Sequence, residues 1–326
     1  MSAARDGRMR LTLIGGFLGS GKTTWLRHQL HAGRFRDAAV VVNEAAGTPV
    51  DDALLSGAAE LMVLAGGCAC CDARADLVAL LRRLCDDRSR IASTADRMDE
   101  IVLETSGLAD PAPIVEAIRT DPVLVHHIVV SEIVVLVDAL NALAHLRGEP
   151  LGRRQVETAD RLVVTKIDAA GAEDLTRLLA TLRAINPGAA ISGAIKGSTA
   201  PLPDFEGVAP EAVASADGAP GAPIFPTRLA IDAVDWTAFT VWLSALLHAR
   251  GDDVLRVKGV VRTPAGRLLL QSVRKVVQSP EILPPQEDDP GREDDTIVVI
   301  GRGYRGDDLR RSLAYFAGTG DGFQGA

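Results

Sequence analysis

Short apolar, β-branched runs alternate with segments of helical period through the first two thirds of the chain. The pattern predicts strands at Leu11–Gly16, Ala38–Glu44, Glu100–Glu104, Glu132–Asp138, Arg161–Thr165 and Ala189–Ala194. Between them it predicts helices over Thr23–His31, Asp72–Cys85, Pro113–Arg119 and Glu173–Ile185. In the second of these helices, Leu77, Leu80, Leu81 and Leu84 share one face. Strands and helices alternating in this way predict an α/β fold, a parallel sheet with helices on both faces.

From Ala200 to Pro226 the pattern is lost in a run of Pro, Gly and Ala, which reads as a linker. Beyond it come a strand (Thr227–Ile231), a helix capped by Asp235 and running to Arg250, and strands at Leu255–Thr263 and Arg267–Val277. After a polar, Pro- and Asp-rich loop, TIVVIG reads as a strand and Asp307–Phe316 as a closing helix. The expected organisation is an α/β domain over 1–200, a linker over 201–226 and a smaller α+β domain over 227–320.

Composition narrows this picture. The chain is 47% hydrophobic and 24% charged, ordinary for a globular protein, and its net charge is -8. An acidic balance argues against general binding to nucleic acid or to an anionic membrane. The longest apolar run, His127–Leu140, is interrupted by Glu132 and Asp138 and is too short to cross a bilayer. LTLIGGFLGS resembles the apolar core of a signal peptide, but its glycines and the GKTT that follows argue against that. The expected location is the cytoplasm, where clustered cysteines more often serve metal or redox chemistry than disulfides.

The lysines are few (Lys22, Lys166, Lys196, Lys258 and Lys275), so a lysine inside a motif is informative. GGFLGSGKTT matches G-x-x-x-x-G-K-[ST] at Gly16, Gly21, Lys22 and Thr23, between a predicted strand and a predicted helix. Glycines let backbone N–H groups converge on phosphate oxygens, the lysine neutralises the β- and γ-phosphates, and the threonine can hold Mg²⁺. Gly16, Gly19, Ser20, Gly21, Lys22, Thr23 and Thr24 are therefore candidate nucleotide contacts.

IVLETSGLADP puts Glu104 at a strand end and Gly107 three residues on. There a carboxylate can bind Mg²⁺ or orient the attacking water, and the glycine N–H can meet the γ-phosphate. Lys22, Glu104 and Gly107 are the candidate catalytic residues. TKID, Thr165–Asp168, is a variant of the N-K-x-D guanine motif, with Thr165 in place of Asn. Asp168 would accept hydrogen bonds from the guanine ring N–H and amine, and the stem of Lys166 can lie over the base.

AGGCACCDA holds Cys68, Cys70 and Cys71 within four positions. Thiolates suit Zn²⁺ and Cu(I), and a helix start behind Cys71 favours its ionised form. Three thiolates leave a fourth position open, for which Glu44 at a strand end is a candidate. Three buried core thiols and a redox pair are the competing readings. Cys85, on the apolar side of its helix, reads as a core thiol. His126 and His127, adjacent in a predicted extended segment, form no ligand array.

GGFLGSGKTT, VVNE, GGCACC, ETSGLADP and TKID, in that order, closely resemble the CobW-like family of P-loop GTPases, relatives of the urease and hydrogenase nickel-insertion GTPases. RVKGVV, LLLQSV and IVVIG resemble the family's C-terminal domain, so the likeness covers nearly the whole chain. The resemblance implies slow hydrolysis of GTP to GDP and phosphate, metal binding at the cysteines, usually zinc, and metal delivery to a client protein. By matching positions, Lys22 and Thr23 would serve phosphate and Mg²⁺, Glu104 and Gly107 the γ-phosphate, Lys166 and Asp168 the base, and Cys68, Cys70 and Cys71 the metal. NEAAG stands where family members often read NEFGE, and the His-rich stretch of many members is absent. A role in cobalamin biosynthesis with cobalt is the alternative on the same fold. A P-loop small-molecule kinase and a zinc-storing protein without turnover are the rivals from other classes. A homodimer is a further expectation.

Overall fold

The computed structural model describes residues 7–35, 37–44, 60–65, 71–91, 98–213, 224–231, 235–251, 253–263, 266–283 and 295–318. The chain divides into two compact units, one spanning Gly7–Gly221 and one lying within Ala222–Ala326.

The first unit opens with β1 (Met9–Gly16), α1 (Lys22–His31), β2 (Ala39–Glu44), β3 (Glu60–Ala65) and α2 (Cys71–Arg90). It continues with β4 (Glu100–Glu104), α3 (Pro111–Thr120), α4 (Leu124–His127), β5 (Ile128–Asp138), α5 (Ala142–Gly148) and α6 (Pro150–Thr158). β6 (Arg161–Thr165), α7 (Ala172–Ile185), β7 (Ala190–Ile195) and β8 (Ser198–Ala200) complete it. The strands form one sheet in the order β3-β2-β4-β1-β5-β6-β7-β8. All neighbours pair in parallel except β7 and β8, which are antiparallel.

This order explains the two helical layers. The connection from β1 to β2 runs one way across the sheet, while those from β3 to β4 and β4 to β5 run the other way. Right-handed crossovers then put α1 on one face and α2 and α3 on the opposite face. Trp25, Leu26 and Leu30 of α1 pack with Phe35 on Ile14, Val40, Val102, Val134 and Val163. Burying so many branched and aromatic side chains at ~1.5–3 kcal/mol each supplies the main drive for folding.

The sequence pattern is corrected in places. The parallel sheet acquires an antiparallel edge at β8, so β7 does not close it. β3, α5, α6 and the short strand Glu281–Leu283 of the second unit were not predicted. His126 and His127 lie in the helical turn α4 rather than in an extended segment. In the stretch read as linker, residues 201–213 are tied to the first unit. Arg153 Nη1 donates to Val213 O at 3.0 Å, and the Glu211 N–H donates to Thr181 Oγ1 at 2.8 Å.

The second unit contains β9 (Ile224–Ala230), α8 (Trp236–Arg250), β10 (Val254–Thr263), β11 (Gly266–Val273), β12 (Val276–Val277), β13 (Glu281–Leu283), β14 (Thr296–Arg302) and α9 (Gly306–Phe316). Its antiparallel sheet runs β12-β11-β10-β14-β9, with β13 on β11. β9 starts at Ile224, inside the stretch read as linker. The predicted strand Arg267–Val277 breaks at Arg274, whose φ of 50° turns the chain. Asp235 caps α8 by accepting from the N–H groups of Thr237 and Ala238. Phe239, Trp242, Leu243 and Leu247 of α8 join Leu309 and Leu313 of α9 over Val257, Ile297 and Val299.

Candidate functional site

The carboxyl ends of β1, β4, β5 and β6 meet at one edge of the first sheet, and those of β1, β4 and β6 lead into motifs singled out in the sequence. In an open parallel sheet this is the edge where ligands bind.

Between β1 and α1 the chain makes the phosphate loop. Gly16 has φ 129°, and a Cβ there would lie 2.3 Å from the Leu136 carbonyl oxygen. Gly21, which caps α1, has φ 86°. Both positions therefore require glycine for backbone reasons. Gly19, Ser20 and Gly21 complete the loop. The Ser20 hydroxyl is buried with no hydrogen-bond partner among the described residues. Lys22, the first residue of α1, is buried, and its Nζ donates to the carbonyls of Gly16 at 3.0 Å and Phe17 at 3.2 Å. The loop thus carries its own cation, held over its backbone at a helix N-terminus. Thr24 is exposed on the first turn of α1.

Thr23 Oγ1 donates to Glu104 Oε1 at 2.7 Å, across 81 residues of sequence. β4 brings this about by pairing in parallel with β1, Ile14 opposite Glu104. A hydroxyl and a carboxylate side by side at the mouth of a phosphate loop form a hard-oxygen donor set that fits Mg²⁺. Beyond Glu104 the loop is pinned where it leaves the sheet. The N–H of Thr105 donates to Ile14 O at 2.9 Å, and its hydroxyl to the same oxygen at 3.1 Å. Gly107 then lies against the phosphate loop, where a Cβ would sit 2.6 Å from the backbone nitrogen of Leu18. The candidate γ-phosphate contact and the phosphate loop touch directly.

Thr165 ends β6, and its hydroxyl donates to Ser20 O at 2.8 Å and more weakly to Val137 O at 3.3 Å. A short hydroxyl at this position thus ties the base motif to the phosphate loop. Lys166 takes a left-handed φ of 58°, and its Nζ donates to Asp138 Oδ2 at 2.9 Å. Burial alone would push the Asp138 carboxyl up. Hydrogen bonds from Lys166, the Asn141 amide and the Leu140 N–H overturn that and hold it below the usual range. Asp168 is exposed in the turn after β6.

Sequence reasoning missed Asp138. Its signal was an acidic residue closing an apolar strand, the same signal that identified Glu104.

Cys68 and Cys70 lie outside the described residues. Glu44 ends β2 and Cys71 begins α2, but their side chains lie outside the described set. Among the described residues there is no group of three or more potential metal ligands. Cys85 is buried in α2, and burial pushes its thiol up to about 11, an inert core thiol as expected.

Comparison with known proteins agrees with this geometry. Residues 10–192 match the family model described as CobW/HypB/UreG, nucleotide-binding domain. Residues 230–317 match the cobalamin synthesis protein cobW C-terminal domain. The zinc chaperone CobW of Pseudomonas aeruginosa is 31% identical over 313 residues, covering 82% of this chain and 81% of that protein. The zinc chaperone YjiA of Escherichia coli is 37% identical over 181 residues, 54% of this chain and 55% of YjiA. The alignment with YjiA thus spans about half of that relative's length. The crystal structure of Zn(II)-bound YjiA GTPase from E. coli superposes with a TM-score of 0.60 at 25% identity, over 95% of this chain and 99% of that one.

Proposed function

Because the chain belongs to the CobW/HypB/UreG family, we propose that it is a zinc chaperone driven by GTP hydrolysis. The observation that carries the reading is the hydrogen bond from Thr23 to Glu104 at 2.7 Å beside the buried Lys22. It joins the phosphate loop to the acidic strand end as a hydrolytic site requires. Relatives named as zinc chaperones and a Zn(II)-bound GTPase support the cargo and the reaction.

In this reading Lys22 binds the β- and γ-phosphates, and Thr23 and Glu104 would hold Mg²⁺, which when bound would offset the negative charge of the phosphates. Glu104 also orients the attacking water. Gly107 offers its N–H to the γ-phosphate from a position already fixed against Leu18. Lys166 and Asp168 bind guanine, with Asp138 fixing the lysine head. Zinc is the transferred cargo, taken by Cys68, Cys70 and Cys71 with Glu44 completing the set, and cobalt is its competitor. A thiolate site of this kind needs a reducing compartment, so the cytoplasm is the proposed setting. The receiver is a client metalloprotein.

The experiment is phosphate release from GTP with and without Mg²⁺, run beside Lys22→Ala. The reading requires turnover by the wild type, its loss in the variant and preference for GTP over ATP. Tight zinc and nucleotide binding without phosphate release would make the protein a store instead.

A further inference from the structure

The amide of Gln155 on α6 is almost completely buried, at 1% exposure. A buried amide must find partners, and where it finds them locates its role. Nε2 donates to Ala109 O at 2.8 Å and more weakly to Gly107 O at 3.4 Å. Both carbonyls belong to the loop that runs from Glu104 to α3. The neighbouring Arg154 donates from Nε to Asp110 Oδ2 at 3.1 Å, and Asp110 caps α3 by accepting from the Ala112 N–H at 3.0 Å. One turn of α6 therefore holds that loop at Gly107, Ala109 and Asp110.

The helix that does the holding is itself fixed. Asn186 Nδ2 donates to Val156 O at 2.7 Å and to Ala159 O at 2.9 Å. Arg153 and Glu157 form a buried ion pair at 2.9 Å. In front of α6, Phe17 of the phosphate loop packs on His145 of α5 with ring centroids 4.0 Å apart. Gln155 is thus mounted on a fixed helix, and the helix before it, α5, touches the phosphate loop.

Glycine is the residue with the most backbone freedom, and Gly107 is the one whose direction matters to the γ-phosphate. Holding its carbonyl and that of Ala109 fixes the peptide planes that follow Gly107 and so anchors the loop from which its N–H is offered. We propose that Gln155 is a positioning residue for GTP hydrolysis, holding the Gly107–Ala109 loop in register with the γ-phosphate. This rests on the reading of Gly107 as the γ-phosphate contact.

The test uses the full chain with Gln155→Met, which keeps the volume without the donors, and Gln155→Glu, which turns an acceptor toward the two carbonyls. The readouts are kcat, KM for GTP, GDP affinity and Tm. The inference requires kcat to fall roughly tenfold or more in both, since small misplacements near the chemistry are costly. GDP affinity should stay within about twofold, because GDP has no γ-phosphate for this loop to meet, and KM for GTP should change less than kcat. Should both fail to fold, Arg154→Met removes the half-exposed tie to Asp110, and the same kcat-only loss is required of it. Equal losses in kcat, GDP affinity and Tm would mean a structural role and would overturn the inference. Gly107→Ala separates the two layers. Wild-type turnover in Gly107→Ala removes the reading of the loop itself. Loss there with full kcat in the Gln155 variants removes only the role of Gln155.

Discussion

Lys166 and Asp138 meet at 2.9 Å, across the paired ends of β6 and β5, at the edge where the base would bind. Three donors converge on the Asp138 carboxylate, so its orientation is fixed and it fixes the lysine head in turn. Asp138→Asn should weaken GTP binding by about tenfold or less, because the lysine is partly exposed and solvent screens the pair. Competition of GTP, ITP and ATP against a fluorescent guanine nucleotide checks this.

The same carboxylate predicts an acid dependence. Its folded pKa is depressed, so its contribution to stability is present above the unfolded aspartate value of about 3.9. That contribution is lost as pH falls through the lower folded value. Wild type should therefore lose more stability than Asp138→Asn between neutral pH and roughly pH 3. Urea midpoints at the two pH values measure the difference.

Glu104→Gln keeps the shape of the side chain beside Thr23 but removes its charge. Phosphate release at saturating GTP should fall by roughly a hundredfold, the scale for losing one preorganised electrostatic partner. The Mg²⁺ concentration needed for half-maximal rate should rise. Unchanged Mg²⁺ dependence would place the ion elsewhere.

Much of this site was readable because its chemistry is local. The phosphate loop is a fixed glycine spacing, and Glu104 and Asp168 sit just where apolar runs end. The Lys166–Asp138 and Thr165–Ser20 contacts were not readable, since strand order decides them and no periodicity encodes strand order. α5 and α6 were missed for a different reason. Gly148 and Pro150 break the pattern between them, and α6 buries Arg153, Gln155 and Glu157, so its inward face reads as polar. Polar burial of this kind is paid for by specific partners, which only the fold reveals.

Thr165→Val would remove the hydroxyl that donates to Ser20 O and leave that carbonyl without this donor. The expected cost is about 1–3 kcal/mol, the range for stranding a buried polar group. Nucleotide should recover part of that loss by holding the loop from the other side. A thermal scan with and without GDP checks both, and an unchanged Tm would reduce the contact to a bystander.

A zinc chaperone driven by GTP hydrolysis must let nucleotide change its hold on zinc, and reciprocity then requires the two affinities to be coupled. The most direct measurement is zinc affinity by competition with a chromophoric chelator under reducing conditions. It compares the GDP form with a non-hydrolysable GTP form, beside Cys68→Ser, Cys70→Ser. The account predicts a difference of about tenfold between the nucleotide forms, ~1.4 kcal/mol of coupling, and loss of zinc binding in the double variant. Equal zinc affinity in both forms would contradict it and make the cysteines a storage or structural site.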